Sequence, residues 1–423
     1  MLAAVDIIIF VAFVVTVIAV GLYKSTGEEI HSEHGAQDYF LAGRGLAWPL
    51  VGFSLIAANI STEQFVGMSG KAADWLGMAI ASYEWMAAIT LVGVAFIFLP
   101  KFLRCGIYTI PEFLEYRYSP LARTIMAVST MIILVGVPTA SVIYSGAKVL
   151  CVFFKGAALG PIDFGDITVG CWIIGVLAAV YVFAGGLKAC AWADLIQGAA
   201  LIVGGAVVAY FALTRLGSAA PAELTATAGN VDPAQLENAG AFARLQALNP
   251  GKLTMFRESS DPEIPWTALV LGLWIPNFFY WGLNQYIMQR ALGSKSLTEG
   301  QRGIVFAAFL KLIIPFVVVI PGILAYNLFA GDLHKEANSK NEPVMQAFES
   351  VQGDPAGANR VFPFNEDFAE LRSEQAMRIF RFNAAAVGAA EASAGEDAAA
   401  LVAANPALVK QAQATGLEVE TVL

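Results

Sequence analysis

Charge and histidine are scarce in this chain: 14% of its 423 residues are charged and three are histidine. His31 and His34 share one loop and His334 lies in the C-terminal segment, so no long apolar run holds a histidine that could act as base or ligand. Histidine relays and most metalloenzyme chemistries lose their support. The four cysteines, Cys105, Cys151, Cys171 and Cys190, lack C-x-x-C spacing, and neither a metal cluster nor a disulfide framework is expected. No G-x-x-x-x-G-K-S/T loop is present, so nothing points to nucleotide hydrolysis. No nucleophile and base pair emerges, and the chain does not read as an enzyme.

Apolar residues are abundant. They make up 57% of the chain, and the mean hydropathy is +0.64, far from an ordinary soluble domain. Apolar runs of about 20 residues predict membrane spans at 6–23, 46–70, 75–100, 121–152, 167–185, 190–214, 264–289 and 303–328. Residues 1–23 lack a basic leader and an A-x-A site, so the first span reads as a retained helix. Alternate connections carry Lys24 and Arg44, then Lys101, Arg104, Arg117 and Arg123, then Lys188, then Arg290, Lys295 and Arg302. By the positive-inside rule these connections are cytoplasmic, which puts the N-terminus, the 215–263 loop and the 329–423 segment outside. The net charge of −9 comes largely from external acids such as Asp332, Glu342, Glu366 and Glu391.

Polarity inside the spans is the informative exception. Residues 46–70 are long enough to cross a bilayer, yet Asn59, Ser61, Thr62, Glu63 and Gln64 interrupt them. A charge at the bilayer centre costs about 2.5 to 3.5 kcal/mol on insertion scales and survives facing a bundle interior or a wet cavity. Glu84 in SYEWM and Lys311 in FAAFLKLIIPF are similarly stranded. Their plain readings are a packing acceptor for Glu84 and a snorkelling cation for Lys311. In the seventh span Pro276 precedes Asn277, with Tyr280 one turn on, and a proline there frees a carbonyl and bends or breaks the helix. The interruptions at 57–64 and 276–280 read as the paired broken helices of a secondary transporter. An isolated kink is the alternative for either one alone.

Ordered segments then carry a family resemblance: DYFLAGRGL at 38–46, AANISTEQFVGMSG at 57–70, ASYEW at 81–85, GIYTIPEFLEYRY at 106–118, AGGLKACAWADLIQ at 184–197, YWGLNQYIMQR at 280–290 and QRGIVFAAFLK at 301–311. The chain resembles the solute:sodium symporter family, and most closely its sodium/sugar cotransporter branch. The resemblance implies an all-α membrane protein of leucine-transporter-like fold: a leading helix, then two inverted five-helix repeats, the first complete and the second partly present. It implies alternating access with sodium as coupling ion and no other cofactor, a glucose- or galactose-like sugar as substrate, membrane lipid as surroundings, and no nucleic acid partner. By position, Gln64, Glu84, Asn277 and Lys311 match sugar-binding residues, and Tyr280 matches the aromatic that stacks on the sugar and closes the inner side. Met68 and Tyr83 match outer-gate positions, Ala57 and Ile60 match carbonyl ligands of sodium, and Asp194 matches the acid near the sodium exit.

Two amides, a carboxylate and an ammonium suit a neutral polyol, since they offer many donors and acceptors without large net charge. Ala87 replaces a serine that sugar-branch relatives can carry, and Ala193 replaces the threonine of W-T-D-x-x-Q. The resemblance also implies three more helices after Phe329. Residues 329–423, polar and then alanine-rich, with Asn405 and Pro406 punctuating possible helices, therefore read as an enlarged external loop and the chain as a fragment of a longer reading frame. A symporter for another neutral solute, inositol or an amino acid, and a non-transporting membrane sensor remain the alternatives.

Overall fold

Five helices among the described residues are long and apolar enough to cross a membrane: Val5–Ser25, Gly77–Arg104, Pro120–Phe153, Ile167–Ser218 and Leu297–Asp332, the last being the apolar part of a helix over Leu297–Val351. Two shorter apolar helices, Trp48–Asn59 and Ala268–Gly282, complete the set. The computed structural model describes residues 4–25, 35–160, 162–225, 231–353, 359–365, 368–369, 372–388 and 398–423; His31, His34, Glu366 and Glu391 lie outside them. It divides into two compact units, Met1–Leu328 and Phe329–Leu423.

Local chemistry starts and stops the helices of the first unit. Asp166 accepts hydrogen bonds from Thr168 N at 2.8 Å and Val169 N at 3.0 Å, which caps the Ile167–Ser218 helix. Ser119 and Pro120 open the Pro120–Phe153 helix in the same manner, with Ser119 Oγ accepting Ala122 N at 3.3 Å. Ile167–Ser218 has 52 residues, about 78 Å if straight, but Gly186 sits at φ 56°, ψ −157° and folds it into two arms. Only glycine reaches this conformation cheaply, and a Cβ here would also stand 2.7 Å from the Tyr39 carbonyl oxygen.

The core runs through Leu55, Ile56, Leu91, Leu99, Ile304 and Val318, so the Trp48–Asn59, Gly77–Arg104 and Leu297–Val351 helices enclose the centre of the unit. The outer helices instead expose Ile132, Val135, Trp172 and Phe183, an exterior suited to acyl chains. The backbones of Gly322 and Ser69 nearly touch: a Cβ on Gly322 would lie 2.3 Å from Ser69 O and 2.8 Å from Ser69 Cα. Backbone cannot give way as a flexible side chain can, so Gly322→Ala is expected to cost about 1 to 3 kcal/mol. A lowered melting temperature measures it, and an unchanged one would mean these helices are free to separate.

The two broken helices differ in where they part. The first ends at Asn59; Ile60 turns out at φ −89°, ψ 98°, and a π-helical turn over Glu63–Met68 resumes the path. The second does not break at 276–280, which corrects the expectation drawn from Pro276. Pro276 lies inside the Ala268–Gly282 helix, just after a π-helical turn over Ala268–Gly272, so the irregularity falls on its N-terminal side. The interruption comes at Leu283 and Asn284, and Asn284 Oδ1 accepts Tyr286 N at 3.3 Å to start the Gln285–Leu292 helix.

The described residues of the 215–263 stretch are folded. Its buried Arg244 donates to the carbonyls of Leu216 at 3.0 Å and Ala219 at 2.8 Å, closing the C-terminus of the long helix. Lys252 donates to Ala73 O at 2.6 Å and lies 4.1 Å from the Tyr326 ring centroid. Burial holds its ammonium below the usual lysine range, partly offset by Asp74.

In the second unit Phe348, Phe362, Phe380 and Phe382 form a separate core. Asn383, fully buried there, donates to Phe362 O at 2.6 Å and accepts from Phe362 N at 2.8 Å. Two short ladders depart from an all-α chain: Ala158–Leu159 with Ile162–Asp163, and Arg360–Val361 with Glu418–Val419. Pro406 does not punctuate: it lies inside the Ala398–Ala414 helix, whose neighbouring bonds carry it through the proline.

Candidate functional site

Lys311 and Glu84 lie 227 residues apart in sequence and meet in the middle of the first unit. Lys311 Nζ donates to Glu84 Oε2 at 2.5 Å, and the two side chains are 1% and 2% exposed. The ammonium also donates to Asn59 Oδ1, and the Trp281 ring centroid is 5.2 Å away. Two hydrogen bonds and an aromatic face satisfy a lysine completely, so Lys311 does not snorkel. Glu84 lies about two turns into the Gly77–Arg104 helix, where a 3-10 turn over Gly77–Ala81 passes into α-helix at Ser82.

Asn59 joins this pair to the second broken helix. Its Nδ2 donates to the Tyr280 hydroxyl at 3.1 Å, and the Tyr280 and Tyr286 hydroxyls share a hydrogen bond. Asn59 is thus the last helical residue before the first break, and it touches the cation on one side and the phenol on the other. A helix end leaves its last carbonyls without intrahelical partners. Here Ile56 O accepts Ile60 N at 2.8 Å and Ala58 O lies 3.5 Å from the Tyr286 hydroxyl. Backbone carbonyls at such a helix end are hard oxygen donors of the kind a small cation takes.

Asp194 lies on the second arm of the long helix and is fastened to both broken helices. Ser54 Oγ donates to Asp194 Oδ2 at 2.5 Å, Arg290 Nη2 approaches the same oxygen at 3.4 Å, and Arg290 Nε donates to Ser54 Oγ at 2.9 Å. Arg290 also donates to the Tyr286 carbonyl. Counted from sequence as a loop charge, Arg290 is in fact a helical residue, 12% exposed and paired. Its acidic partner determines this, because a buried carboxylate requires a counter-charge.

The remaining candidates are not drawn into that network. Gln64 Oε1 is buried with no hydrogen-bond partner among the described residues. Asn277 is buried, but its Nδ2 donates to Leu273 O at 2.8 Å on its own helix. Met68 is 8% exposed and Tyr83 40%. Glu63 leaves the polar patch and accepts from Ser141 Oγ at 2.8 Å. Sequence reasoning did not single out Ser54, Trp281, Tyr286 or Arg290. Arg290 follows the Pro276–Tyr280 segment by ten residues, and the basic flank hid that signal.

Comparison with known proteins agrees with this architecture. The sodium:solute symporter family matches residues 39–352. A sodium/glucose cotransporter of Vibrio parahaemolyticus is 43% identical over 77% of this chain and 56% of its own length. Mouse sodium/glucose cotransporter 1 is 30% identical over 77% of this chain and 47% of its own length. The chain thus spans about half the length of the curated relatives it matches. A solved structure, the substrate-bound outward-open state of a sodium-coupled sialic acid symporter, superposes with TM-score 0.60 at 23% identity over 78% of this chain and 62% of that one. It shares the leucine-transporter-like fold. With multiple apolar helices, two breaks beside a buried ion pair and a family match across most of its length, this chain belongs to the sodium:solute symporter family.

Proposed function

We propose that the first unit carries the substrate and sodium sites of a sodium-coupled symporter that imports a glucose- or galactose-like sugar by alternating access. The observation that carries the reading is the buried group of Glu84, Lys311, Asn59 and Tyr280 set against the break in the first helix. In this group the charges neutralise each other, so a neutral polyol can replace individual hydrogen bonds without leaving a bare charge behind. Gln64 contributes an acceptor with no partner, and Asn277 contributes an amide that has only to leave its own helix carbonyl. Tyr280 covers the apolar face of the ring. Met68 and Tyr83 gate the outer side, Ala57 and Ile60 hold sodium through their carbonyls, and Asp194 guides its exit. The N-terminus and the 329–423 segment lie outside the cell membrane.

Sodium-dependent uptake of labelled glucose and galactose into proteoliposomes tests this, using these 423 residues and a form that includes whatever coding sequence follows in the gene. Uptake that requires a sodium gradient is the expected result. A folded protein that moves neither sugar under a sodium gradient removes the substrate assignment. Gln64→Leu removes one sugar bond without adding charge, so the KM for sugar should rise about five- to thirty-fold, the equivalent of 1 to 2 kcal/mol. An unchanged KM takes Gln64 out of the site. A different neutral solute is the second reading, favoured by Ala87, which is 2% exposed beside Glu84 and offers no hydroxyl. Competition of uptake by unlabelled inositol and amino acids separates the two.

A further inference from the structure

A groove of about 600 Å³ opens on the first unit, and its lining includes neither the ion pair nor Asp194. Trp48 and Phe96 form its walls, and the Leu297–Val351 helix supplies Arg302, Val305, Phe306 and Phe309. These four stand at i, i+3, i+4 and i+7, a single helical face. Phe306 is the floor: its ring meets Trp48 edge-on at 5.2 Å and Phe53 at 5.4 Å. Beside it the two helices close completely, since a Cβ on Gly303 would lie 2.6 Å from Val51 Cβ. The groove therefore has a solid bottom and an open, apolar side, with Phe96 58% and Phe309 57% exposed.

Its two ends differ in chemistry. Arg302 is exposed and has no ion-pair partner among the described residues. The nearest acid along the helix, Glu299, accepts the Trp48 backbone N–H at 2.7 Å. Arg302 lies near the start of the helix and Phe309 seven residues deeper, about 10 Å along the axis. A cation at interface level followed by two turns of open aromatic surface is the profile of a lipid headgroup joined to its acyl chain. Basic pockets between membrane helices select anionic headgroups.

We propose that this groove binds a phospholipid with an anionic headgroup, the phosphate against Arg302 and one acyl chain along Val305, Phe306 and Phe309. Trp48, at the start of the first broken helix, lies against that chain.

Two measurements test it. In the first, the purified protein is mixed with phosphatidylglycerol or phosphatidylcholine carrying brominated acyl chains, and the fluorescence of wild type minus Trp48→Phe isolates the Trp48 signal. Phosphatidylglycerol should half-quench that signal at about a five-fold lower mole fraction than phosphatidylcholine, the preference one arginine gives. Arg302→Gln should erase the difference. In the second, native mass spectrometry counts lipid retained from an equal mixture of the two. Wild type should keep phosphatidylglycerol in about five-fold excess, and Arg302→Gln should keep both alike. Equal quenching and equal retention overturn the proposal, as does a Trp48 signal that neither lipid quenches, which would mean that protein covers the groove.

Discussion

Lys311→Ala is expected, under the proposed function, to abolish sodium-driven sugar uptake, and to lower stability by about 3 to 5 kcal/mol, the cost of leaving one member of a buried ion pair alone. The stranded partner is Glu84, 2% exposed, whose cationic donor this substitution removes. Asn59 loses a donor at the same time, and its link to Tyr280 loses its anchor. The double variant Glu84→Gln with Lys311→Met separates structure from function. With no charge left to desolvate, it should recover most of the lost melting temperature, because apolar or neutral replacements of buried pairs are often tolerated. Under the proposed function uptake should stay absent, since the Lys311 ammonium and the Glu84 carboxylate are gone. Transport by the double variant would show that the pair serves packing alone.

Arg290→Gln is expected to make the protein's stability depend on sodium. Arg290 is the counter-charge of Asp194, and without it the carboxylate keeps only the Ser54 hydroxyl at 2.5 Å. Loss of a partner at such a site costs about 3 kcal/mol or more in sodium-free buffer. A sodium ion can stand where the guanidinium stood, and a ligand that binds only the folded state stabilises it by about 2.7 kcal/mol at a hundred times its Kd. The melting temperature of Arg290→Gln should thus climb with sodium at constant ionic strength more steeply than that of wild type. Asp194→Asn with Arg290→Gln should lose this extra climb, since nothing charged remains to neutralise. If choline raises the melting temperature as much as sodium does, the effect is general screening and Asp194 is not on the sodium route.

Asn59, Tyr280 and Tyr286 give the two regions a physical connection. From Glu84 the bonded groups run through Lys311, Asn59, Tyr280 and Tyr286 to Arg290, which holds Asp194 and Ser54. Both broken helices contribute to this run, so separating them disturbs the Glu84–Lys311 pair and the acid together.

The sequence by itself determined the membrane class, the family, the first break near Asn59 and the candidacy of Glu84 and Lys311. These are legible because hydrophobic length and the cost of intramembrane charge are properties of short windows. The tertiary structure alone decided what those polar groups do with one another. It joined Lys311 to Glu84 and Asn59 across more than two hundred residues, spent Arg290 on Asp194 and turned the Asn277 amide onto its own helix. It also put the full break at Leu283 and Asn284, leaving only a π-helical turn ahead of Pro276. Pairing is non-local, and in a low-dielectric interior each buried polar atom takes whichever partner the packing of distant helices brings within reach.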